Sequence, residues 1–288
     1  MANITASMVK ELREMTGAGM MECKKALAEA DGDMDGAVDV LRTRGLAAVA
    51  KKAGRATNEG TVMALVSEDG KTGALVELNC ETDFVGMNEK FKAYAEKIAR
   101  AAVANKPADL DALKASEIDG ETVDAVVADC IHVMGENTQL ARFATLEADA
   151  VCSYIHMGGK VGVLLSIKAG KEETVKSDAF KALAKDLTLH IAAAAPKSVS
   201  SDSLDPAFVA EEQEIAKQQL IQEGKPEHLL EKILPGKLKA LYAQSCLLNQ
   251  VFVKDPAGKM TVEALLNQAG KELGDDISVA SFVRYQLG

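Results

Sequence analysis

The four residues Thr82-Asp83-Phe84-Val85, called the TDFV turn below, combine side chains that could act on another molecule. They follow an alternating apolar run, GALVELN (73–79), in a chain whose aromatic content is only 4%. Nothing in the segment forms an active-site constellation for bond chemistry. Two interpretations are open. Either Phe84 packs as a hydrophobic staple beneath a helix that starts near Asn88, or the Asp83–Phe84 pair protrudes and inserts into another macromolecule.

Three other stretches begin like ligand-binding loops and then depart from the pattern. DGDMDG (31–36) has the first acids of an EF-hand loop, but Arg42 stands where the bidentate glutamate is required. GAGMMECKK (17–25) and MGGKVG (157–162) contain glycine and lysine without the phosphate-binding spacing. The sequence therefore predicts neither bound calcium nor a nucleotide held by the chain itself.

The histidines and cysteines show no metal-binding or catalytic pattern. The four histidines lack ligand spacing, and the five cysteines are scattered without a CxxC pair, which is typical of reduced thiols in a cytoplasmic protein. We expect no catalytic residue, no cofactor and no metal ion. His156 alone stays a candidate contact residue, because it lies at a predicted strand end beside Gly158-Gly159.

Charge and hydropathy argue against two classes of partner, nucleic acids and membranes. A net charge of −10 argues against a nucleic acid held through its phosphates. No apolar run approaches membrane-spanning length, and the N-terminal segment MANITASMVKEL has no secretory core. We therefore expect a cytoplasmic protein that binds neither nucleic acid nor membrane.

Residues 1–55 predict a unit of three short helices. Capping and helix-breaking residues mark the ends, with Thr5 and Asp33 at helix starts and Thr16-Gly17 and Gly45 at helix ends. Met15 is expected on the apolar face of the first helix. Met20 and Met21 begin the second, and adjacent helical residues cannot both face one core. We therefore expect one of them to be exposed, where methionine makes an adaptable partner contact.

The rest of the chain repeats itself at a shift of 89 residues. GALVELN (73–79) aligns with GVLLSIK (162–168), and FKAYAEKIARAAVANKP (91–107) aligns with FKALAKDLTLHIAAAAP (180–196). This indicates two copies of a strand–turn–helix unit, each in its own small subdomain. The predicted boundaries are 56–145 for the first subdomain and 146–197 with 242–288 for the second. Only the first copy carries the TDFV turn; the second has GKEETVK (170–176) at the same place.

Residues 198–241 predict a helical hairpin that leaves the second subdomain and returns to it. The segment is charged, prone to form helices and broken at Gly224-Lys225-Pro226. The predicted fold class is therefore α+β. A three-helix start precedes a duplicated core of antiparallel sheets with helices, into which the hairpin is inserted.

Four stretches together resemble one family. They are residues 4–45, KKAGRATNEG (51–60), NCETDFVGMNEKF (79–91) and CSYIHMGGKVGVL (152–164). They closely resemble bacterial elongation factor Ts, the guanine-nucleotide exchange factor for elongation factor Tu. The resemblance covers nearly the whole chain. It implies that the three-helix start is a domain like the ubiquitin-associated domain.

The resemblance also implies which residues contact the partner. Asp83 and Phe84 would enter the GTPase domain of elongation factor Tu beside its magnesium site, with Thr82 and Val85 shaping the turn. Further contacts are implied at three positions of the N-terminal domain and two of the second subdomain: Arg13, Met20, Met21, His156 and Val253. The family often has a further C-terminal helical module, whereas this sequence ends at VRYQLG, so we expect affinity to depend more on the N-terminal helices.

The implied partner is elongation factor Tu, both GDP-bound and nucleotide-free. A homodimer through the helical hairpin is a second assembly that the resemblance suggests. The alternative function is a protein-binding adaptor without exchange activity, which would use the three-helix start as its recognition module. The intact TDFV turn argues against the adaptor.

Overall fold

The computed structural model describes residues 4–16, 18–52 and 54–288. Its first three helices are α1 (Ala6–Thr16), α2 (Met20–Glu29) and α3 (Met34–Lys52). They enclose a small apolar core of buried side chains: Val9, Leu12, Ala18, Cys23, Ala26, Leu27, Ala37 and Leu41. The predicted caps are confirmed, because Thr5 Oγ1 accepts from Met8 N at 3.3 Å and Asp33 Oδ2 accepts from Gly36 N at 2.7 Å. Gly17 lies outside the described residues.

Two predictions for these helices are wrong. Helix α3 does not end at Gly45 but continues to Lys52. Gly45 lies inside α3 where the helix packs on a later helix, since a Cβ there would be in ordinary contact with His132 Cβ at 3.7 Å and the Ala128 carbonyl at 3.8 Å. Lys52 Nζ also donates to Ile131 O at 3.2 Å across the same junction. Met15, expected inside, is exposed at the last turn of α1.

The first copy of the repeat is a three-stranded antiparallel sheet in the order β1-β2-β5, with helices on one face. Its elements in chain order are β1 (Glu59–Val66), β2 (Thr72–Cys80), α4 (Asp83–Gly86), α5 (Glu89–Asn105), α6 (Leu110–Ala115), β3 (Glu117–Ile118), β4 (Glu121–Thr122), α7 (Val123–Met134) and β5 (Thr138–Glu147). Strands β3 and β4 form a separate two-residue pairing. Phe91 of α5 is fully buried at the centre of the helix–sheet core.

The second copy has the sheet order β6-β7-β8. Its elements are β6 (Ala150–His156), β7 (Val161–Ala169), α8 (Glu172–Lys176), α9 (Asp178–Ala194), α10 (Pro206–Gln222), α11 (Glu227–Ser245), α12 (Val262–Leu273) and β8 (Ile277–Gln286). Helices α10 and α11 form the predicted hairpin. Its two ends are joined by hydrogen bonds, from Lys197 N to Ser245 O at 2.8 Å and from Leu247 N to Ser198 O at 2.9 Å.

The duplication is closer than the sequence indicated. Strands β2 and β7 and helices α5 and α9 have the same bounds after the shift of 89 residues. Each middle strand also has a register shift at the equivalent place, Glu77/Leu78 in one copy and Ser166/Ile167 in the other. Helices α7 and α12 correspond at a shift of 139, so the second copy contains about 50 more residues, in and around the hairpin. The helical counterpart α12 was not predicted.

The two sheets pack face to face through their surfaces without helices. Val62 and Leu75 from the first sheet meet Val151 and Leu164 from the second, and the two pairs are equivalent at a shift of 89. The middle strands are therefore buried on both faces, and β2 is buried at successive positions although the sequence of GALVELN predicted an alternating strand. The fold is a helix–sheet–sheet–helix arrangement with a three-helix unit attached, and the α+β prediction is confirmed.

The domain boundaries themselves stay a prediction, as does self-association through the hairpin. Among the residues described, no helix combines the length and apolar content needed to cross a bilayer. In the same part of the chain, His, Cys, Asp and Glu side chains do not gather in groups of three or more that could hold a metal ion.

Candidate functional site

The TDFV turn presents its aromatic residue to solvent. Thr82 ends the extended chain and caps the one-turn helix α4, accepting from Val85 N at 3.5 Å. Phe84 is 81% exposed and Asp83 is also exposed, whereas Val85 packs against the core of the first copy. The staple interpretation of Phe84 is therefore wrong. Val85 anchors the turn, and the Asp83–Phe84 pair protrudes.

Two glycines bring this turn against the edge of the sheet. A Cβ at Gly86 would lie 2.6 Å from the carbonyl oxygen of Gly60 in β1, so only glycine allows α4 to sit this close. Gly60 itself has φ +151°, a value that side-chain-bearing residues rarely adopt. The backbone below Phe84 is thus in direct contact with backbone of β1, without an intervening side chain that could shift.

A carboxylate holds the other side of the turn. Glu136, which follows α7, accepts from Glu81 N at 3.1 Å, from Thr82 N at 3.0 Å and from Thr82 Oγ1 at 2.7 Å. Glu81 in return accepts from Asn137 N at 2.6 Å, and this bond, followed by Arg55, lowers the pKa of Glu81. We call the three bonds of Glu136 the carboxylate clamp.

Cys80 completes the support of the turn from below. Its thiol donates to Thr82 O at 3.1 Å. Burial, followed by the charge of Glu136, raises the pKa of Cys80 to about 12, so the thiol keeps its proton at neutral pH. The TDFV turn is therefore restrained by the sheet edge, by the carboxylate clamp and by this thiol.

Sequence reasoning missed Glu136, because it lies 54 residues after Thr82 in the chain. A usable signal existed. The segment Thr122-Val123-Asp124-Ala125 matches Thr261-Val262-Glu263-Ala264 at a shift of 139, and each precedes a glycine followed by an acid, Gly135-Glu136 and Gly274-Asp275. Aligning these segments would have extended the repeat and paired the two acids.

The structure places a second exposed turn beside the TDFV turn. His156 ends β6 and is exposed, with its Nδ1 at 2.9 Å from Tyr154 Oη. The next residues, Met157–Gly159, form a 3-10 turn in which Met157 is exposed. A Cβ at Gly159 would overlap the side chain of Thr61, the neighbour of Gly60 in β1. One end of β1 thus supports both turns. Met157, which sequence reasoning did not select, is exposed next to the predicted contact residue His156.

The N-terminal candidates lie on the surface of the three-helix unit. Arg13 is exposed on α1, and Met20 and Met21 are 59% and 65% exposed at the start of α2. Both methionines are therefore available, where the sequence predicted one. With the exposed Met15 they give this unit three methionines open to solvent, a composition suited to adaptable contact.

Val253 is exposed on a loop that a buried histidine holds in place. His190 Nδ1 accepts from Val253 N at 3.2 Å, which assigns the ring proton to Nε2, 2.9 Å from Gln250 Oε1. No hydrogen bond within the described residues joins Val253 to His156, although both belong to the second copy. Val253 and His156 are therefore held in place by different hydrogen bonds.

The support of Val253 is expected to depend on pH. Burial lowers the pKa of His190 from its ordinary 6.5, so the unfolded chain takes up the proton more readily than the folded chain. The free energy of unfolding should therefore fall as the pH drops below 6.5 towards the folded pKa. Protonation also removes the acceptor of the Val253 amide. We expect faster hydrogen exchange at Val253 at pH 5 than at pH 7, after correction for intrinsic rates.

Strand β7, whose amides are bonded within the sheet, is the internal control for that exchange measurement. A His190→Asn variant should lose the pH dependence at Val253. Equal corrected rates at the two pH values in the unaltered chain would show that His190 does not control this loop.

These surfaces together define a protein that acts by docking. An exposed aromatic residue on a backbone fixed from several sides has the features of an interface anchor, with little conformational freedom to lose on binding.

Comparisons with known proteins place the chain in a family. Residues 81–288 match the family model described as Elongation factor TS. Elongation factor Ts of Desulfovibrio desulfuricans is 46% identical over 291 residues, covering 100% of this chain and 99% of that protein. The same protein of Nitratidesulfovibrio vulgaris is 48% identical over 288 residues, covering 99% and 96%. That of Clostridium acetobutylicum is 47% identical over 289 residues, covering 99% and 92%. The chain belongs to the elongation factor Ts family, and its role lies in the elongation stage of protein synthesis.

Proposed function

We propose that this protein binds elongation factor Tu in its GDP-bound form and accelerates release of the nucleotide. The observation that carries the proposal is the 81% exposure of Phe84 on a turn whose backbone is fixed by Gly60, Gly86 and Glu136. A side chain of this size exposed in a monomer has no packing role in the fold. A rigid aromatic ring instead supplies a large contact area at low entropic cost.

The mechanism is a coupling between two ligands of elongation factor Tu. If this protein binds the nucleotide-free partner more tightly than the GDP-bound partner, it must weaken GDP binding by the same factor. We propose that Asp83 and Phe84 enter the GTPase domain beside the magnesium site. Displacing the ion or the groups around it removes positive charge that compensates the diphosphate. GTP then binds and, by the same reciprocity, expels the factor.

The other exposed residues are proposed to hold the partner while the TDFV turn acts. Arg13, Met20 and Met21 would contact the GTPase domain from the three-helix unit. His156 and Val253 would contact a more distant domain of the partner. Because these contacts form with or without nucleotide, they add affinity for elongation factor Tu but do not distinguish its GDP-bound state from its nucleotide-free state. Only the Asp83–Phe84 pair is assigned a contact that GDP opposes.

Release of a fluorescent GDP analogue from elongation factor Tu, followed by stopped flow, tests the proposal. Wild-type protein should accelerate release in a saturable manner, and the double variant Asp83→Ala/Phe84→Ala should lose most of that acceleration. Binding to nucleotide-free elongation factor Tu is measured in parallel. Tight binding with no acceleration of release by the wild type would establish an adaptor and reject the exchange function.

A further inference from the structure

The carboxylate clamp occurs in both copies of the repeat. Asp275 Oδ1 accepts from Gly170 N at 3.0 Å, and Asp275 Oδ2 accepts from Lys171 N at 3.0 Å. These two amides are equivalent to those of Glu81 and Thr82 at the shift of 89, and Asp275 is equivalent to Glu136 at the shift of 139. A hydrogen bond with the side chain of Thr174, followed by the amides of Asp276, Lys171 and Gly170, lowers the pKa of Asp275. An acid at this place is thus a constant part of the strand-to-helix turn.

The two clamped turns differ in what they present. In the second copy, the position equivalent to Phe84 is Glu173, an exposed acid on α8. In the first copy, the clamped amides lie directly before Asp83 and Phe84. In the first copy the hydroxyl that bonds to the acid belongs to the cap residue, because Thr82 Oγ1 donates to Glu136 and also caps α4, whereas α8 has no side-chain cap. Glu136 therefore fixes both the backbone and the cap from which the protruding pair projects.

We propose that Glu136 is a positioning residue for nucleotide exchange: it holds the turn so that Phe84 enters the partner in one fixed orientation. The inference rests on the proposed exchange function and assigns a role within it to a residue outside the TDFV turn. Without the clamp, the amides of Glu81 and Thr82 lose their acceptor, and the turn keeps only its contact with Gly60, the packing of Val85 and the bond from the Cys80 thiol. Phe84 would then sample several directions, and fewer encounters would disturb the magnesium site.

Glu136→Met tests this role with little change in side-chain volume. Both amides donate to the same carboxylate oxygen, Oε2, which a glutamine oxygen could replace, whereas a thioether is only a weak acceptor. We expect the maximal rate of GDP release to fall by about tenfold, as a small misplacement of a reacting group does, while the half-saturating concentration stays within about twofold. Asp275→Leu is the matched control, because it removes the equivalent clamp where no aromatic residue is presented. It should leave both kinetic parameters unchanged.

A double-mutant cycle separates positioning from general loss of structure. If Glu136 acts through Phe84, then Glu136→Met should cause no further loss of maximal rate in a Phe84→Ala background. Multiplicative losses would show that Glu136 acts elsewhere and would overturn the inference. So would an unchanged rate in Glu136→Met, or an equal fall in Asp275→Leu. If Glu136→Met does not fold, Thr82→Val removes the hydroxyl that donates to Glu136 and caps α4, and an undiminished maximal rate in that variant rejects the role.

Failure of this inference can be told apart from failure of the proposed function. If the wild type does not accelerate GDP release, the exchange function itself is rejected. If the wild type accelerates release and Phe84→Ala slows it, but Glu136→Met does not, then exchange stands and only the positioning role of Glu136 is rejected.

Discussion

Replacing Phe84 with alanine is expected to lower the maximal rate of GDP release from elongation factor Tu by about 30-fold, the equivalent of about 2 kcal/mol for an aromatic interface anchor. The half-saturating concentration should rise by much less, because the other proposed contacts remain. Phe84 is exposed, so its removal takes no apolar side chain out of the core. We therefore expect the thermal melting temperature to stay unchanged, and stopped-flow release over a range of factor concentrations to give both kinetic parameters.

Glu173→Ala is the matched control for this variant. It truncates an exposed side chain at the equivalent position of the second copy, on a turn held by the same kind of clamp. Its release kinetics should equal those of the wild type. If Phe84→Ala weakened docking and the maximal rate by equal factors, Phe84 would be an ordinary contact rather than the group that opposes GDP.

Introducing a side chain at the interface between the two sheets is expected to destabilise the whole core. A Cβ at Gly162 would overlap Val62 and lie 2.9 Å from Leu75 Cδ1, and one at Gly73 would lie 2.6 Å from Val151 Cγ1. The neighbouring methyl groups are buried between two sheets and have no free space to move into. We expect Gly162→Ala to lower the free energy of unfolding by about 1–3 kcal/mol, measured by urea denaturation.

Two companion variants identify overpacking as the cause. Gly236→Ala, at an exposed glycine of α11 with no atom near its Cβ position, should be neutral or slightly stabilising, because alanine favours helix. Val62→Ala should partly rescue Gly162→Ala by removing the methyl groups that the new Cβ meets. A Gly162→Ala protein as stable as the wild type would show that the sheets can separate slightly without cost.

The parts of the fold that depend on neighbours in the chain could be predicted from the sequence. Caps such as Thr5 and Asp33 were found because each bonds to an amide three residues later. The duplication was found because β2 and α5 keep their spacing in the second copy. The start of α2 at Met20 and the hairpin break near Gly224 followed from the same local signals.

What could not be predicted depends on contacts between distant parts of the chain. Gly45 is a helix-ending signal by itself, and only the approach of α7 makes it a packing position inside α3. Met15 fits an apolar face, but its side chain lies outside the core that the three helices enclose. The sequence left open whether Phe84 is buried. Exposure is decided by Val85, which occupies the place against the core, and by the clamp from Glu136.

The hydrogen bonds that join the two ends of the helical hairpin affect the pairing of β8, the last strand of the second sheet, with β7. In the first copy Leu78 pairs with Leu140, 62 positions later, whereas in the second Ile167 pairs with Val279, 112 positions later. For flexible chains, closing the longer loop costs only about 0.5 kcal/mol more. Once residues 197 and 198 are bonded to 245 and 247, most of that extra length no longer contributes chain entropy. An excursion of two helices can therefore be accommodated inside a folding unit with almost no thermodynamic penalty to the sheet that surrounds it.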